Sequence, residues 1–252
     1  MEELQAYVKR RVTWLCLYNA DGPSGGPFTG TFIASGDRRF VLTAAHYLDA
    51  VLSGRELGEQ LVMQTSLLFA NDEGKDVAIE RYQGVFIQPR SGDIAVEDGV
   101  ESRYEFEDLA LFEIADEDCE LAESNCAFVA REKFGIVKAD GPVLLTGYRS
   151  RDVDADGDQR ALHVRPFTFE TVIKAVSERL IQLEYDPESR PELANEPFGI
   201  SGSGVYNASG AFCGMIWGGD MERKRLWVCP APLIEQFLKR HVTQGGCPIH
   251  VT

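Results

Sequence analysis

The chain has 252 residues, of which 44% are hydrophobic and 26% are charged, and its formal net charge is −15. This composition is ordinary for a globular protein with one large or two small hydrophobic cores. The acidic balance argues against a nucleic-acid partner, because binding to phosphates needs clustered lysine and arginine side chains. No run of apolar residues is long enough to predict a membrane-spanning helix, so no membrane partner is expected.

The N-terminal stretch, residues 1–19, shows no signal-peptide pattern, since no apolar region follows a basic start and no small-residue cleavage site is visible. We therefore expect a cytoplasmic protein. None of the six cysteines forms a CxxC pair, which makes a structural zinc site improbable, and a reducing compartment favours free thiols over disulfides. These cysteines are Cys16, Cys119, Cys126, Cys213, Cys229 and Cys247.

Short runs rich in β-branched and aromatic residues recur along the chain, separated by Gly, Asp, Asn and Pro. They predict a first set of strands at 12–18, 28–35, 39–44, 61–69, 78–88 and 109–114. A second set is predicted at 141–148, 161–176, 179–185, 203–207, 211–218 and 225–230. Residues 231–241 predict a helix that presents Leu233, Phe237 and Leu238 on one face.

The spacing of these strands indicates an all-β protein. Many strands with almost no helix between them favour sandwiches or barrels over a parallel sheet. The polar and acidic segment at 115–126 is interpreted as a link between two β halves.

The segment "PFGISGSGVYN" (197–207) is the first sign of chemistry, because it places three glycines and two serines within six positions. A serine hydroxyl becomes a strong nucleophile only when a base takes its proton and a third group holds that base in one tautomer. Ser201 is the candidate nucleophile, and Ser203 is the minor candidate.

A candidate base and two candidate acids precede these serines. His46 lies in "FVLTAAHYLD", where two alanines would allow another segment to approach closely. Asp108 stands directly before the apolar strand predicted at 109–114, and Asp93 in "SGDIAVEDG" has a similar local pattern. We favour Asp108 because the longer apolar strand follows it, although Asp93 remains an alternative.

Together, "TAAH", "DLAL" and "GISGSGVYN…GMIWGG" resemble the chymotrypsin-like serine proteases, in which the triad runs His, Asp, Ser. The resemblance covers about residues 12–241 and is greatest to intracellular or bacterial trypsin-like peptidase domains. It implies two six-stranded antiparallel β-barrels followed by a C-terminal α-helix. Residues 1–120 would form the barrel carrying His46 and Asp108, and residues 121–252 the barrel carrying Ser201.

The resemblance also implies roles for single residues. Ser201 would be the nucleophile, His46 the general base and later the general acid, and Asp108 the group that orients the imidazole. The backbone N–H groups of Gly199 and Ser201 would form the oxyanion hole.

Substrate-binding residues follow from the same resemblance. The strand residues Ile216, Trp217 and Gly218 would pair with a bound peptide, and Asn195 would lie near the base of the side-chain pocket. Trp227 could narrow that pocket, but ordinary core packing explains both tryptophans equally well.

Two departures from the family pattern concern the serine motif. Gly204 stands where the family commonly has proline. Ile200 stands where zymogen-derived members have an aspartate that binds a newly cleaved N-terminus, so that activation switch is expected to be absent. The cysteines that secreted members place around the histidine and serine motifs are also missing.

The expected function is therefore a serine endopeptidase that acts through an acyl-enzyme on a protein or peptide substrate, without a cofactor. A regulatory protein partner, in a stress or defence setting, is a further expectation. The alternative is a catalytically silent relative that binds a peptide or partner protein in the same cleft. The acidic motif "DVDADGD" (152–158) is similar to a calcium loop, but His163 replaces its bidentate glutamate, so we expect a solvated turn and no metal.

Overall fold

The computed structural model describes residues 2–19, 22–23, 28–48, 64–70, 76–79, 82–88, 96–97, 100–101, 108–148, 167–185, 200–220 and 222–243. The N-terminal half begins with helix α1 (Glu2–Lys9) and includes a 3₁₀ turn (Ala45–Leu48). Its strands are β1 (Val12–Asn19), β2 (Gly22–Pro23), β3 (Phe28–Ser35), β4 (Arg38–Thr43), β5 (Gln64–Ala70), β6 (Asp76–Ile79), β7 (Tyr82–Gln88), β8 (Val96–Glu97), β9 (Val100–Glu101) and β10 (Leu109–Ile114).

The C-terminal half follows helix α2 (Asp116–Asn125) and ends with helix α3 (Ala231–Thr243). A second 3₁₀ turn spans Arg131–Lys133. The strands are β11 (Val129–Ala130), β12 (Pro142–Gly147), β13 (Phe167–Val176), β14 (Ile181–Glu184), β15 (Gly204–Asn207), β16 (Phe212–Asp220) and β17 (Arg225–Pro230).

The N-terminal strands form a nine-stranded sheet with the order β6-β5-β1-β3-β4-β10-β7, to which β2 and β11 add at the side. Strand β10 is buried along its whole length, and its side chains alternate between two clusters. Ala110, Phe112 and Ile114 pack in the core of this half, whereas Leu109 and Leu111 face the C-terminal half. A strand covered on both faces favours apolar residues, which explains the continuous run "LALF". The buried Glu113 that follows this run is paired with Arg38.

The C-terminal strands form a closed barrel in the order β12-β13-β14-β17-β16-β15. Inward-facing residues come from every strand, as the period of two in a strand requires. They form one buried core: Val143, Leu145, Phe169, Ile173, Ile181, Leu183, Val205, Ile216, Leu226 and Val228.

A third apolar cluster joins the two halves. It combines Phe40, Leu42 and Leu111 of the N-terminal sheet with Leu144 and Met215 of the barrel, and all five are buried. Helix α3 adds Ile234, Phe237 and Leu238, and helix α1 adds Val8. Because each such side chain contributes about 1.5–3 kcal/mol on burial, this interface stabilises the contact between the two halves.

The structure confirms the mostly-β class, the closed C-terminal barrel and the C-terminal helix. The predicted N-terminal barrel is an open sheet over the described residues. The predicted strand 78–88 is divided into β6 and β7. The acidic segment at 115–126 is a helix, α2, which packs Ala122 on the N-terminal core, so it is not a simple link.

The boundary predicted between residues 120 and 121 stays a prediction. Helix α1 was not predicted. No helix in the described part of the chain is long and apolar enough to cross a membrane. The four cysteines whose side chains are described, Cys119, Cys126, Cys213 and Cys229, are free thiols.

Candidate active site

His46 and Asp108 meet where two neighbouring strands end. Strands β4 and β10 pair with Thr43 opposite Ala110, so the residues after β4 lie beside the residue before β10. His46 Nδ1 lies 2.6 Å from Asp108 Oδ2, and the His46 backbone N–H donates to Asp108 Oδ1 at 2.8 Å. The carboxylate is therefore held by two hydrogen bonds from a single residue.

This pairing determines which nitrogen of His46 can act as a base. A carboxylate only accepts hydrogen bonds, so the proton of the neutral imidazole lies on Nδ1 and the lone pair that can take a proton lies on Nε2. Asp108 is only 3% exposed, whereas the His46 side chain keeps 31% of its surface exposed. The Asp108 carboxylate is therefore buried, whereas the His46 imidazole is partly exposed to solvent.

Ser201 lies on a tight turn that leads into β15. The turn is closed by Ser203 N–H donating to Ile200 O at 3.0 Å. Gly202 has a φ of 91°, a value that side chains disfavour, and its N–H donates to Ile216 O at 2.7 Å. Ile200 is buried in the barrel core and anchors the start of the turn, so an apolar residue suits this position.

The Ser201 hydroxyl donates to Trp217 O at 3.3 Å. Ser201 is 8% exposed, and within the described residues its hydroxyl makes no hydrogen bond to His46. The histidine–aspartate part of the predicted triad is therefore assembled, and the serine hydroxyl is directed to a backbone carbonyl on β16.

Ser203 has a different environment. It is 0% exposed, and its Oγ is without a hydrogen-bond partner in the described part of the chain. The hydroxyl packs so closely against Gly147 that a Cβ at that glycine would lie 1.8 Å from it. A hydroxyl that neither solvent nor a base contacts cannot attack a substrate, which argues against Ser203 as the nucleophile.

The structure also explains the glycine that replaces the family's proline. A Cβ on Gly204 would lie 2.8 Å from the hydroxyl oxygen of Tyr206. The Tyr206 ring is fully buried in the cluster between the halves and cannot move away cheaply. The Tyr206 ring therefore leaves no room for a side chain at position 204, which explains why this residue is glycine.

The residues predicted to pair with a peptide differ in their backbone hydrogen bonds and in their burial. Both backbone groups of Ile216 are engaged inside the chain, because its N–H donates to Ser203 O and its C=O accepts from Gly202 N–H. Trp217 is buried and stacks on Trp227 with ring centroids 5.1 Å apart. The Trp217 side chain is therefore packed inside the protein, and half-buried Gly218 lies beside the Trp227 ring.

Several predicted residues lie outside the described residues. These are Asn195, Gly199, the alternative acid Asp93 and the acidic motif at 152–158. Among the residues that the structure does describe, no group of three or more His, Cys, Asp or Glu side chains could hold a metal ion.

Sequence reasoning missed three buried threonines beside the Ser201 turn: Thr29, Thr31 and Thr43. The sequence feature that could have indicated them is the threonine on each side of Gly30 in an otherwise apolar strand. Residues two apart in a strand point to the same face.

Comparison with known proteins identifies the architecture. No protein-family model matches the sequence, and no curated protein matches it. Among solved structures, the Rv3671c protease from M. tuberculosis in its active form is 14% identical with a TM-score of 0.57, over 93% of this chain and 82% of that chain.

Two further structures are similar. The MamO protease domain from Magnetospirillum magneticum, in its apo form, is 14% identical with a TM-score of 0.52, over 91% of this chain and 96% of that chain. The serine endoprotease from Yersinia pestis is 13% identical with a TM-score of 0.54, over 97% of this chain and 67% of that chain. The chain therefore has the chymotrypsin-like fold of trypsin-like serine proteases.

Proposed function

We propose that this chain is a serine endopeptidase that hydrolyses peptide bonds with a Ser201–His46–Asp108 triad. The observation that carries the proposal is the buried Asp108 carboxylate bonded to His46 Nδ1 at 2.6 Å, in a fold that the three serine proteases share. In the proposed triad, Asp108 orients the imidazole so that its other nitrogen can take a proton, and the Ser201 hydroxyl would give that proton.

In the proposed reaction, Ser201 Oγ attacks the carbonyl carbon of the substrate while His46 Nε2 takes its proton. Asp108 stabilises the imidazolium that forms. The tetrahedral intermediate then collapses, the C–N bond breaks, and the imidazolium gives its proton to the leaving amine. Water repeats the sequence on the acyl-enzyme and releases the acid product.

The oxyanion hole would use the N–H groups of Ser201 and Gly199. The amides of Gly202 and Ser203 are both bonded inside the chain, which supports Ser201 N–H as the donor on this turn. One such donor typically contributes about 3 kcal/mol to transition-state stabilisation.

Substrate binding would bring Ser201 into its reactive position. A peptide that adds as a strand along Trp217 and Gly218 places a backbone N–H against Trp217 O. That carbonyl holds the Ser201 hydroxyl in the structure without substrate. When the peptide takes this acceptor, the hydroxyl turns to His46 Nε2, and the nucleophile is activated only when a substrate is present.

The N-terminal sheet would close into the second six-stranded barrel. The two ends of the sheet order are β6 and β7, and residues 80–81 alone separate these strands in the chain. Such a short connection keeps the Cα atoms of Ile79 and Tyr82, where one edge strand ends and the other begins, within about 11 Å of each other. Counted as one bent strand, β6 and β7 reduce the order to six strands, and the triad would lie between residues 1–120 and 121–252.

The proposed setting is the cytoplasm, with a protein or peptide substrate and a regulatory protein partner. The second candidate function is a silent domain that binds a peptide or partner protein in this cleft. One observation favours it, namely that the Ser201 hydroxyl is bonded to Trp217 O and not to His46.

A peptide library separates the two functions. We would incubate a proteome-derived library with the protein and identify new termini by mass spectrometry, with Ser201→Ala and His46→Ala as negative controls and Ser203→Ala as a matched serine control. The proposal predicts new termini with the wild type and Ser203→Ala only. Peptides retained equally by wild type and Ser201→Ala, without any cleavage, would establish the silent domain.

A further inference from the structure

The three buried threonines lie on β3 and β4, beside the turn that carries Ser201. All three are 0% exposed, Thr29 and Thr31 on β3 and Thr43 on β4. Thr31 Oγ1 donates to Gly202 O at 2.9 Å, and Thr43 Oγ1 donates to Thr29 O at 2.7 Å. Each is a side-chain hydroxyl that satisfies a backbone carbonyl in a site without solvent.

Strand β3 also touches the Ser201 turn directly. A Cβ built on Gly202 would lie 1.7 Å from Thr29 O and 2.8 Å from Thr43 Oγ1. The backbone of β3 therefore lies against the Cα of Gly202, which makes a close approach that only glycine allows. Gly202 is held from one side by this contact and through its own carbonyl by Thr31.

A second tie joins the same strand to the C-terminal barrel. Thr29 Oγ1 accepts a hydrogen bond from Tyr148 N–H at 2.7 Å and lies 3.2 Å from Tyr148 O, to which it can donate. Tyr148 directly follows β12, which pairs with β15 at the end of the Ser201 turn. Two points of the barrel near Ser201 are thus bonded to one strand of the opposite half.

These contacts matter because the reacting groups belong to different halves. His46 is three residues after Thr43, and Gly202 is the residue directly after Ser201. A continuous path runs from Thr43 through Thr29 and Thr31 to Gly202. Apolar packing between the halves has no direction, whereas a buried hydroxyl–carbonyl bond fixes a distance and an angle.

We propose that Thr31 is a positioning residue that sets Ser201 relative to His46 across the two halves, an inference that rests on the proposed peptidase function. Thr31 does not touch substrate. It holds the Gly202 carbonyl, which fixes the peptide plane between Gly202 and Ser203. Because Gly202 directly follows Ser201, this bond limits how far the turn can displace the serine side chain. A misplacement of about 1 Å at a reacting atom costs roughly 100-fold in rate.

The test measures the rate at which a fluorophosphonate labels the serine, with variants that preserve shape. Thr31→Val keeps the branched side chain and removes the hydroxyl, and Thr31→Ser restores a hydroxyl. Thr171→Val is the control, because half-buried Thr171 also donates from its Oγ1 to a backbone carbonyl, that of Glu184, but within the hairpin β13–β14. We expect labelling of Thr31→Val to be slower by about 10–100-fold, with Thr31→Ser and Thr171→Val close to wild type.

A second readout does not depend on activity. Hydrogen exchange of the backbone amides at 200–206, followed by mass spectrometry, reports how firmly the turn is held. Thr31→Val should speed this exchange, whereas Thr171→Val should not. If the wild type is not labelled, the proposed peptidase function fails, and the exchange result alone decides on the positioning role. Wild-type labelling and wild-type exchange in Thr31→Val would overturn the inference.

Discussion

Replacing Gly202 by alanine tests the contact between the two halves most severely. The φ of 91° is strained for any side chain, and the added Cβ would lie 1.7 Å from Thr29 O. A residue forced into left-handed backbone loses about 1–2 kcal/mol, and overpacking at a buried site adds about 1–3 kcal/mol. We expect Gly202→Ala to lower the free energy of unfolding by about 2–5 kcal/mol.

Gly36→Ala is the matched control. Gly36 also has a left-handed φ, 63°, but it lies in the exposed turn between β3 and β4 with nothing within 4 Å of an added Cβ. It should therefore show the backbone strain alone, about 1–2 kcal/mol. Urea unfolding followed by tryptophan fluorescence measures both variants under the same conditions.

The two glycines should also differ in their effect on the site. Gly202→Ala should abolish fluorophosphonate labelling even without urea, when the protein is folded. The reason is that the turn must move by more than about 1 Å to accept the methyl group. Gly36→Ala should be labelled at the wild-type rate. Equal losses of stability in the two variants would refute the claim that β3 lies against Gly202.

Three further predictions follow from the same contacts. Asp108→Asn should slow fluorophosphonate labelling by about ten-thousand-fold, because the amide favours the wrong tautomer of His46, whereas Asp93→Asn should have little effect; equal effects would contradict the assignment of the acid. Ser203→Ala should leave the urea midpoint unchanged or raise it, since it removes a buried hydroxyl that is unpartnered in the described residues; a loss above about 1 kcal/mol would mean that a hidden partner exists. Hydrogen bonds from Arg131 and Lys239 lower the pKa of Glu235, so its stabilising effect is present at neutral pH and is lost as the pH falls through that lowered value; Glu235→Gln should be slightly less stable than wild type at pH 7 and indistinguishable from it in acid.

Much of the architecture was predictable because the chain alternates apolar runs with turn residues. Strands β3, β10 and β17 begin and end at the predicted residues, and Gly36 after β3 and Asp108 before β10 mark two of these limits. The helix α3 was predictable from its apolar face. The pairing of Asp108 with His46 was also accessible, because a carboxylate next to a buried strand must find a donor.

Other features depend on contacts between distant residues, which a local pattern does not contain. Helix α2 looked like a polar link because only Cys119 and Ala122 of its residues pack on this core, too few to produce an apolar face. The role of Gly204 could not be predicted, because it depends on where the Tyr206 ring packs. The hydrogen bond from the Ser201 hydroxyl to Trp217 O depends on the rotamer of the serine side chain, which a sequence pattern does not determine.

The central claim is that Ser201 is an activated nucleophile, and intact-mass measurement after fluorophosphonate treatment tests it most directly. The account predicts one adduct on the wild type and on Ser203→Ala, mapped to Ser201 by fragmentation, and no adduct on Ser201→Ala or His46→Ala. No adduct on the wild type, or an adduct that persists in Ser201→Ala, would contradict it.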